Sequence, residues 1–223
     1  YQIGVITTDK AYFLGSVITP NSTDPVGELA YQIGTAAGIY GSGMERGLQM
    51  SYDVTQAGED AGPNSSFLRA DALLVLVYIS DERDWSSGNW TDYANYFNQL
   101  KGDPSMVLSH AVIGDYPSGC TWIDPATGYQ RMVQFGAGYY DISQYYGGMT
   151  YSLCSTDWGQ QMQSMALNSV AVFEYPLENE GVIEGSISVT VEGQSNSVWS
   201  YNSDTNAVSF PQTDAPGEGE EIE

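Results

Sequence analysis

Ala72-Leu-Leu-Val-Leu-Val-Tyr-Ile79 is the longest apolar run in the chain, rich in branched side chains and bounded by Asp71 and by Ser80-Asp81. It falls far short of the roughly 20 residues that a membrane-crossing helix needs. A run this short and this uniformly apolar predicts a central strand of a parallel sheet, covered on both faces by helices. A parallel neighbour then demands a crossover helix, and the sequence downstream supplies one. Asn89 to Leu100 carries Tyr93, Tyr96, Phe97 and Leu100 on one helical face, and Met106 to Ile113 reads as the next strand.

The alternation continues. Residues 129 to 147 hold Tyr, Phe, Ile and Met at mixed spacing and close on Gly147-Gly148, a helix stop; Met149 to Leu153 is a short strand. Asp157 to Leu167 predicts a helix with Met162, Met165 and Ala166 on one face. Upstream, residues 2 to 9 and 15 to 19 read as a strand pair stopped by Pro20. Ser42, three residues ahead of Glu45, stands in capping-box order before Met44, Leu48 and Val54, which predicts a helix opening at Ser42.

After residue 168 no helical period remains. Val170 to Tyr175, Gly185 to Val191, Ser197 to Tyr201 and Ala207 to Phe210 read as short strands between turn signals such as Glu192-Gly193 and Asn202-Ser-Asp204. The expected fold class is therefore α/β, an open, mostly parallel sheet wrapped by helices over residues 1 to 168. A small antiparallel β appendage with an acidic tail occupies 169 to 223.

Charge narrows the partners. Among 223 residues, 6 Lys+Arg face 28 Asp+Glu, for a formal net charge of −22 and a pI near 4.1. So few basic residues cannot form the stripe that nucleic acid or an anionic membrane surface requires. Most carboxylates lack a basic partner within the chain and must be solvated, hydrogen-bonded or bound to cations. Cys120 and Cys154 flank a segment rich in Gly, Tyr and Trp. They read either as one disulfide formed in an oxidising compartment or as two buried thiols. His110 lies inside a predicted strand and reads as structural. No Gly-x-Ser-x-Gly elbow, P-loop or His-Glu-x-x-His is present.

Ligands of open α/β sheets gather beyond the carboxyl ends of the strands. Ser80-Asp81-Glu82-Arg83-Asp84 follows the apolar strand, and Gly41-Ser42-Gly43 precedes a helix from the same face. Hard oxygen donors without clustered His or Cys suit Mg²⁺, Mn²⁺ or Ca²⁺, while helix capping is the alternative use of an Asp in this place. Trp85, Trp90 and Trp122, with Tyr116, fall in predicted loops near Asp81. They form either a recognition rim or the packing of long loops. Glu82 and Asp84 also provide the paired carboxylates that a carbohydrate-active enzyme would use.

These residues resemble the von Willebrand factor type A domain, in the variety found in secreted and surface-anchored bacterial proteins. The resemblance lies in Tyr1-Gln-Ile-Gly-Val-Ile-Thr-Thr-Asp9, in Gly41-Ser-Gly-Met-Glu-Arg-Gly-Leu48 and above all in Phe67 to Ser86. It continues through Val112-Ile-Gly-Asp115, Gly119-Cys120 and Tyr151-Ser-Leu-Cys-Ser-Thr-Asp-Trp158. The family holds a divalent cation through three loops at the carboxyl edge of its sheet. The resemblance places the second loop's hydroxyl on Ser42 and the third loop's carboxylate on Asp81. The first loop, Asp-x-Ser-x-Ser, has no counterpart. Tyr1 matches the family's second strand, so the central first strand is expected upstream of residue 1 or from another chain.

The resemblance implies an extracellular or cell-surface recognition module, non-enzymatic, that binds a protein or surface-glycan ligand with Mg²⁺ or Ca²⁺. The other expectation is a structural subunit of an extracellular filament, sheath or virion with a vestigial metal site.

Overall fold

Val107–Ile113, which we label β2, is the strand around which the larger part of the molecule is assembled, with six of its seven side chains buried. It lies between β1 (Leu74–Ile79) and β5 (Thr150–Ser152), both parallel to it. The register runs from Leu74 opposite Val107 to Ile79 opposite Val112, and from Ala111 opposite Thr150 to Ile113 opposite Ser152. This computed structural model describes residues 1–36, 43–56, 67–70, 72–123, 127–169, 172–178, 182–203, 205–211 and 216. Ser42 and the expected capping box therefore lie outside the described residues.

The chain divides into two compact units, Tyr1–Met165 and Ala166–Glu223. In the first, three helices lie against the parallel sheet: α2 (Gly47–Gln56), α3 (Trp90–Lys101) and α4 (Tyr139–Tyr145). Their apolar faces meet the inner face of β1 in one core of Leu48, Leu74, Leu76, Tyr78, Tyr93, Ala94, Phe97, Tyr139 and Ile142, among others. Fully burying Phe97 or Ile142 alone contributes on the order of 2 kcal/mol. The start of α3 is built as its sequence dictates, with the Asn89 backbone N–H donating to the Asp92 carboxylate at 2.9 Å.

Several expectations are corrected by this arrangement. The apolar run does not become a strand covered on both faces. Among the described residues β1 is an edge strand, and Val77 and Ile79 on its outer face are 45% and 42% exposed. Central placement falls to β2, which among the described residues of the parallel sheet has a strand on each side. The amino-terminal pair forms no strands but single antiparallel bridges, Ile3 with Ile18 and Thr7 with Lys10. The helix expected from Ser42 begins at Gly47. Of Met162, Met165 and Ala166 in α5 (Trp158–Asn168), only Met165 is buried.

A helix and both strands of one hairpin are not announced by the periodicity of the sequence. Helix α1 (Pro25–Tyr31) follows from Asp24-Pro25: the Asp24 side chain accepts from the Gly27 N–H at 3.0 Å, and proline occupies the first turn, where a missing N–H costs nothing. Strands β3 (Cys120–Ile123) and β4 (Gln130–Val133) form an antiparallel hairpin, with Cys120 opposite Val133. Its second strand occupies the start of the segment with mixed spacing.

Beyond the end of α5 the described residues of the second unit are mainly short strands, as the turn-punctuated sequence implies. The strand expected over Gly185 to Val191 is shortened to Val189–Val191 behind a 3-10 turn at Glu184–Ser186, and Gln194–Asn196 is a strand outside those expected. Strands β6 (Val172–Pro176), β10 (Ala207–Pro211) and β9 (Ser200–Asn202) form one antiparallel sheet in that order, and β7 (Val189–Val191) pairs with β8 (Gln194–Asn196). The β7–β8 turn has Glu192 at φ 50° and Gly193 at φ 71°, the two positive values that a tight hairpin turn requires. Val189, Val208 and Phe210 form its core, flanked by Tyr175, Leu177, Ile187, Val191 and Trp199.

Candidate functional site

The loop after β1 sends its carboxylates in two directions. Asp84 turns inward to the start of α2, whose first backbone N–H groups have no partner within the helix. Leu48 N–H donates to Asp84 Oδ1 at 3.3 Å, Gln49 N–H donates to Ser86 Oγ at 2.8 Å, and Gly47 N–H donates to the Tyr139 hydroxyl at 2.9 Å. Tyr139 in turn donates to Asp84, and Ser86 binds the same carboxylate through its hydroxyl at 2.9 Å and its N–H at 3.2 Å. The helix is thus capped by side chains remote in sequence. Gly138 admits this contact because a Cβ there would sit 2.8 Å from the Asp84 Cβ, and its φ of 91° also favours glycine.

Burial raises the Asp84 carboxyl above its ordinary range, opposed by those hydrogen bonds. The same burial, beside Asp84, holds Tyr139 far above the usual phenol range, so both hydroxyl and cap stay intact at neutral pH.

Asp81, Glu82 and Glu45 face the other way. Asp81 is exposed, and its main-chain carbonyl accepts from Gln134 N–H at 2.9 Å, which ties the loop to the segment after β4. The Ser80 hydroxyl, buried at the end of β1, donates to the Glu45 carboxylate and accepts from Glu82 N–H at 3.1 Å. Trp85 N–H donates to the Glu45 carbonyl at 2.6 Å, which fixes this acid beside the loop. Desolvation raises the Glu45 carboxyl, Ser80 opposes the shift, and the charges of Asp81 and Glu82 reinforce it; a hydrogen bond with Asp81 adds to the rise. Glu45 is therefore a half-buried acid pressed against two others. Its local sequence marks it only as a capping partner. The signal that points to it is its place in the stretch Gly41 to Leu48 that carries part of the resemblance, just ahead of α2.

The predicted rim is only partly assembled. Trp85, 39% exposed, lies under the Arg83 guanidinium at 3.8 Å from its ring centroid, and its indole N–H donates to Glu82 Oε2 at 3.2 Å. Trp90 instead packs at the start of α3 against Tyr145, with ring centroids 5.7 Å apart. Trp122 stands on the β3–β4 hairpin opposite Arg131. Glu82 and Asp84 have separate roles, since the first accepts from the Trp85 indole and the second closes α2.

Cys120 and Cys154 form a disulfide, with Cα atoms 6.2 Å apart. It ties the start of β3 to the segment after β5. His110 is buried in β2, and its Nδ1 accepts from Met149 N–H at 2.9 Å, a structural bond to the start of β5. Burial lowers its pKa, in keeping with a neutral imidazole.

Among the described residues no group of three or more His, Cys, Asp or Glu side chains is arranged to hold a metal ion, and no helix is long and apolar enough to cross a membrane. Glu45 and Asp81, with the Ser80 hydroxyl bonded to the first, are the oxygen-bearing side chains at this end of the strand. The structure thus defines a mixed α/β chain with a small parallel sheet and an acidic carboxyl edge. No family model, curated protein or solved structure matches it.

Proposed function

We propose that the larger unit is a non-enzymatic recognition module related to von Willebrand factor type A domains. It engages a protein or surface-glycan ligand at the carboxyl edge of the parallel sheet. The observation that carries this reading is the convergence of Glu45, Asp81 and Glu82 at the end of β1, where burial and mutual repulsion raise the proton affinity of Glu45. A cation would relieve that repulsion. Glu45 and Asp81 would hold Mg²⁺ or Ca²⁺, with the Ser80 hydroxyl and water completing the shell, and the cation would supply an electrophilic point for an acidic group on the ligand. Ser42 remains the residue that the resemblance adds to this set. The disulfide favours a secreted or cell-surface setting.

The test is thermal unfolding with and without cation. With a Kd near 1 mM, 10 mM Mg²⁺ or Ca²⁺ would stabilise the unit by about 1.4 kcal/mol, or roughly 3–5 °C. Asp81→Ala should abolish that gain. Equal gains in both proteins, or none in either, would refute the metal site.

The exposed outer face of β1 favours a second component of this reading. Val77 and Ile79 present apolar surface beside an edge that pairs with no described strand. We infer that a further strand, from upstream sequence or another chain, completes the sheet there, as a filament or sheath subunit would require. Amide hydrogen exchange along β1 should slow in a longer chain or an assembly relative to the 223-residue chain. Identical protection in both would exclude it.

A further inference from the structure

We propose that a pocket at the carboxyl ends of β2 and β5 binds a basic side chain, arginine or lysine, presented by a partner protein. The pocket, about 110 Å³, has Ile113, Gly114, Asp115, Tyr116, Tyr140 and Thr150 among its lining residues. It shares the sheet edge with Glu45 and Asp81 but none of their side chains, so it stands or falls independently of the cation.

The aromatic walls are held in place. Tyr116 stacks on Tyr140 with centroids 5.2 Å apart and planes at 20°, and Phe135 meets both rings edge-on at 5.3 and 5.4 Å. One face of Tyr116 is thus covered by Tyr140, yet the residue stays 67% exposed, which leaves ring surface open to solvent. The faces of such rings carry the negative lobe of the aromatic quadrupole and attract cations.

Asp115 lines the pocket and is itself exposed. Its carbonyl accepts from Gly119 N–H at 2.7 Å, while its carboxylate is exposed and takes no hydrogen bond or ion pair among the described residues. An ammonium or guanidinium between that carboxylate and the tyrosine rings would gain a charge-assisted hydrogen bond and a cation–π contact together. Its methylene stem would lie along Ile113 and the rings.

Two features favour a cation over a sugar ring. No Lys, Arg, Asn or Gln lines the pocket, so its charged and π groups all attract positive charge. The chain's net charge of −22 also draws basic ligands toward it. The Cys120–Cys154 disulfide joins the segment after Asp115 to the segment after Ser152, and so ties the two walls together before any ligand arrives.

The experiment titrates the ¹⁵N-labelled chain, in EDTA, with Ac-Gly-Arg-Gly-NH₂ and Ac-Gly-Lys-Gly-NH₂, with Ac-Gly-Gln-Gly-NH₂ and methyl glucoside as neutral probes. The basic peptides should give saturable shifts at the Gly114, Asp115 and Thr150 amides, with a Kd on the order of 1 mM. Asp115→Asn, at an exposed position, should weaken binding at least fivefold with an unchanged melting temperature, and Tyr116→Ala should weaken it as much while lowering the melting temperature slightly through the lost ring contacts. Raising salt from about 50 to 500 mM should weaken it severalfold through screening. Glu28→Gln, which removes one charge outside the pocket, should leave the Kd unchanged. Absence of saturable shifts, neutral probes that bind as tightly, or equal weakening by Glu28→Gln would each overturn the proposal.

Discussion

Asp81 and Asp84 lie three residues apart in one loop, yet they belong to opposite environments. Asp84 points inward, surrounded by donors from α2, Ser86 and Tyr139; its role is to close a helix. Asp81 points outward beside Glu45 and Glu82, where like charges gather. An acidic residue's surroundings, not its type or its distance from a strand end, decide whether it serves the fold or a ligand.

That contrast is best broken at its structural side first. Asp84→Ala should cost about 2 kcal/mol, since it removes a cap and strands partly buried N–H groups. It should leave any response to Mg²⁺ or Ca²⁺ intact. Denaturant unfolding with and without cation measures both, and a loss of the cation response without a loss of stability would exchange the two roles. Tyr139→Phe should cost somewhat less, about 1–2 kcal/mol, because it leaves Gly47 N–H unpartnered while preserving the packing against Tyr78.

The pH dependence sharpens the outward side. The folded-state pKa of Glu45 is raised, so its contribution is fully present below the unfolded value of 4.5 and is lost as pH rises through the folded value. Glu45→Gln should therefore flatten the fall in stability as pH rises above 4.5. Part of the fall will remain, because Asp84 is shifted in the same direction. Saturating cation should flatten the wild-type profile in the same way, since it stabilises the ionised carboxylate. A profile unchanged by Glu45→Gln would remove Glu45 from the site. The smallest effect belongs to Asp81→Ala without cation, which should change stability by less than about 0.5 kcal/mol, as expected for an exposed side chain.

Legibility follows the range of the forces involved. Helix α3 can be read closely, because its apolar period, its Asn89–Asp92 cap and its stop at Gly102 are all local. The β pattern after residue 168 is legible for the same reason, down to the Glu192-Gly193 turn. The start of α2 is not, because its cap comes from Asp84, Ser86 and Tyr139, tens of residues away. The contribution of Glu45 is hidden likewise, as only folding brings it to Ser80 and Asp81. The β3–β4 hairpin is masked by its largely exposed, weakly alternating strands, with Met132 85% exposed.

The sequence by itself determined the alternation of strand and helix, the acidic surface, the lack of a basic stripe for nucleic acid and the place of Asp81 just past an apolar strand. These follow from local periodicity and from composition. Tertiary structure alone decided that β2 rather than β1 is central, that Asp84 caps while Asp81 stays exposed, and that Asp115 and Tyr116 border a pocket with Tyr140 and Tyr151. Each of those outcomes depends on which distant segment lies alongside, and no local pattern encodes a neighbour contributed from elsewhere in the chain.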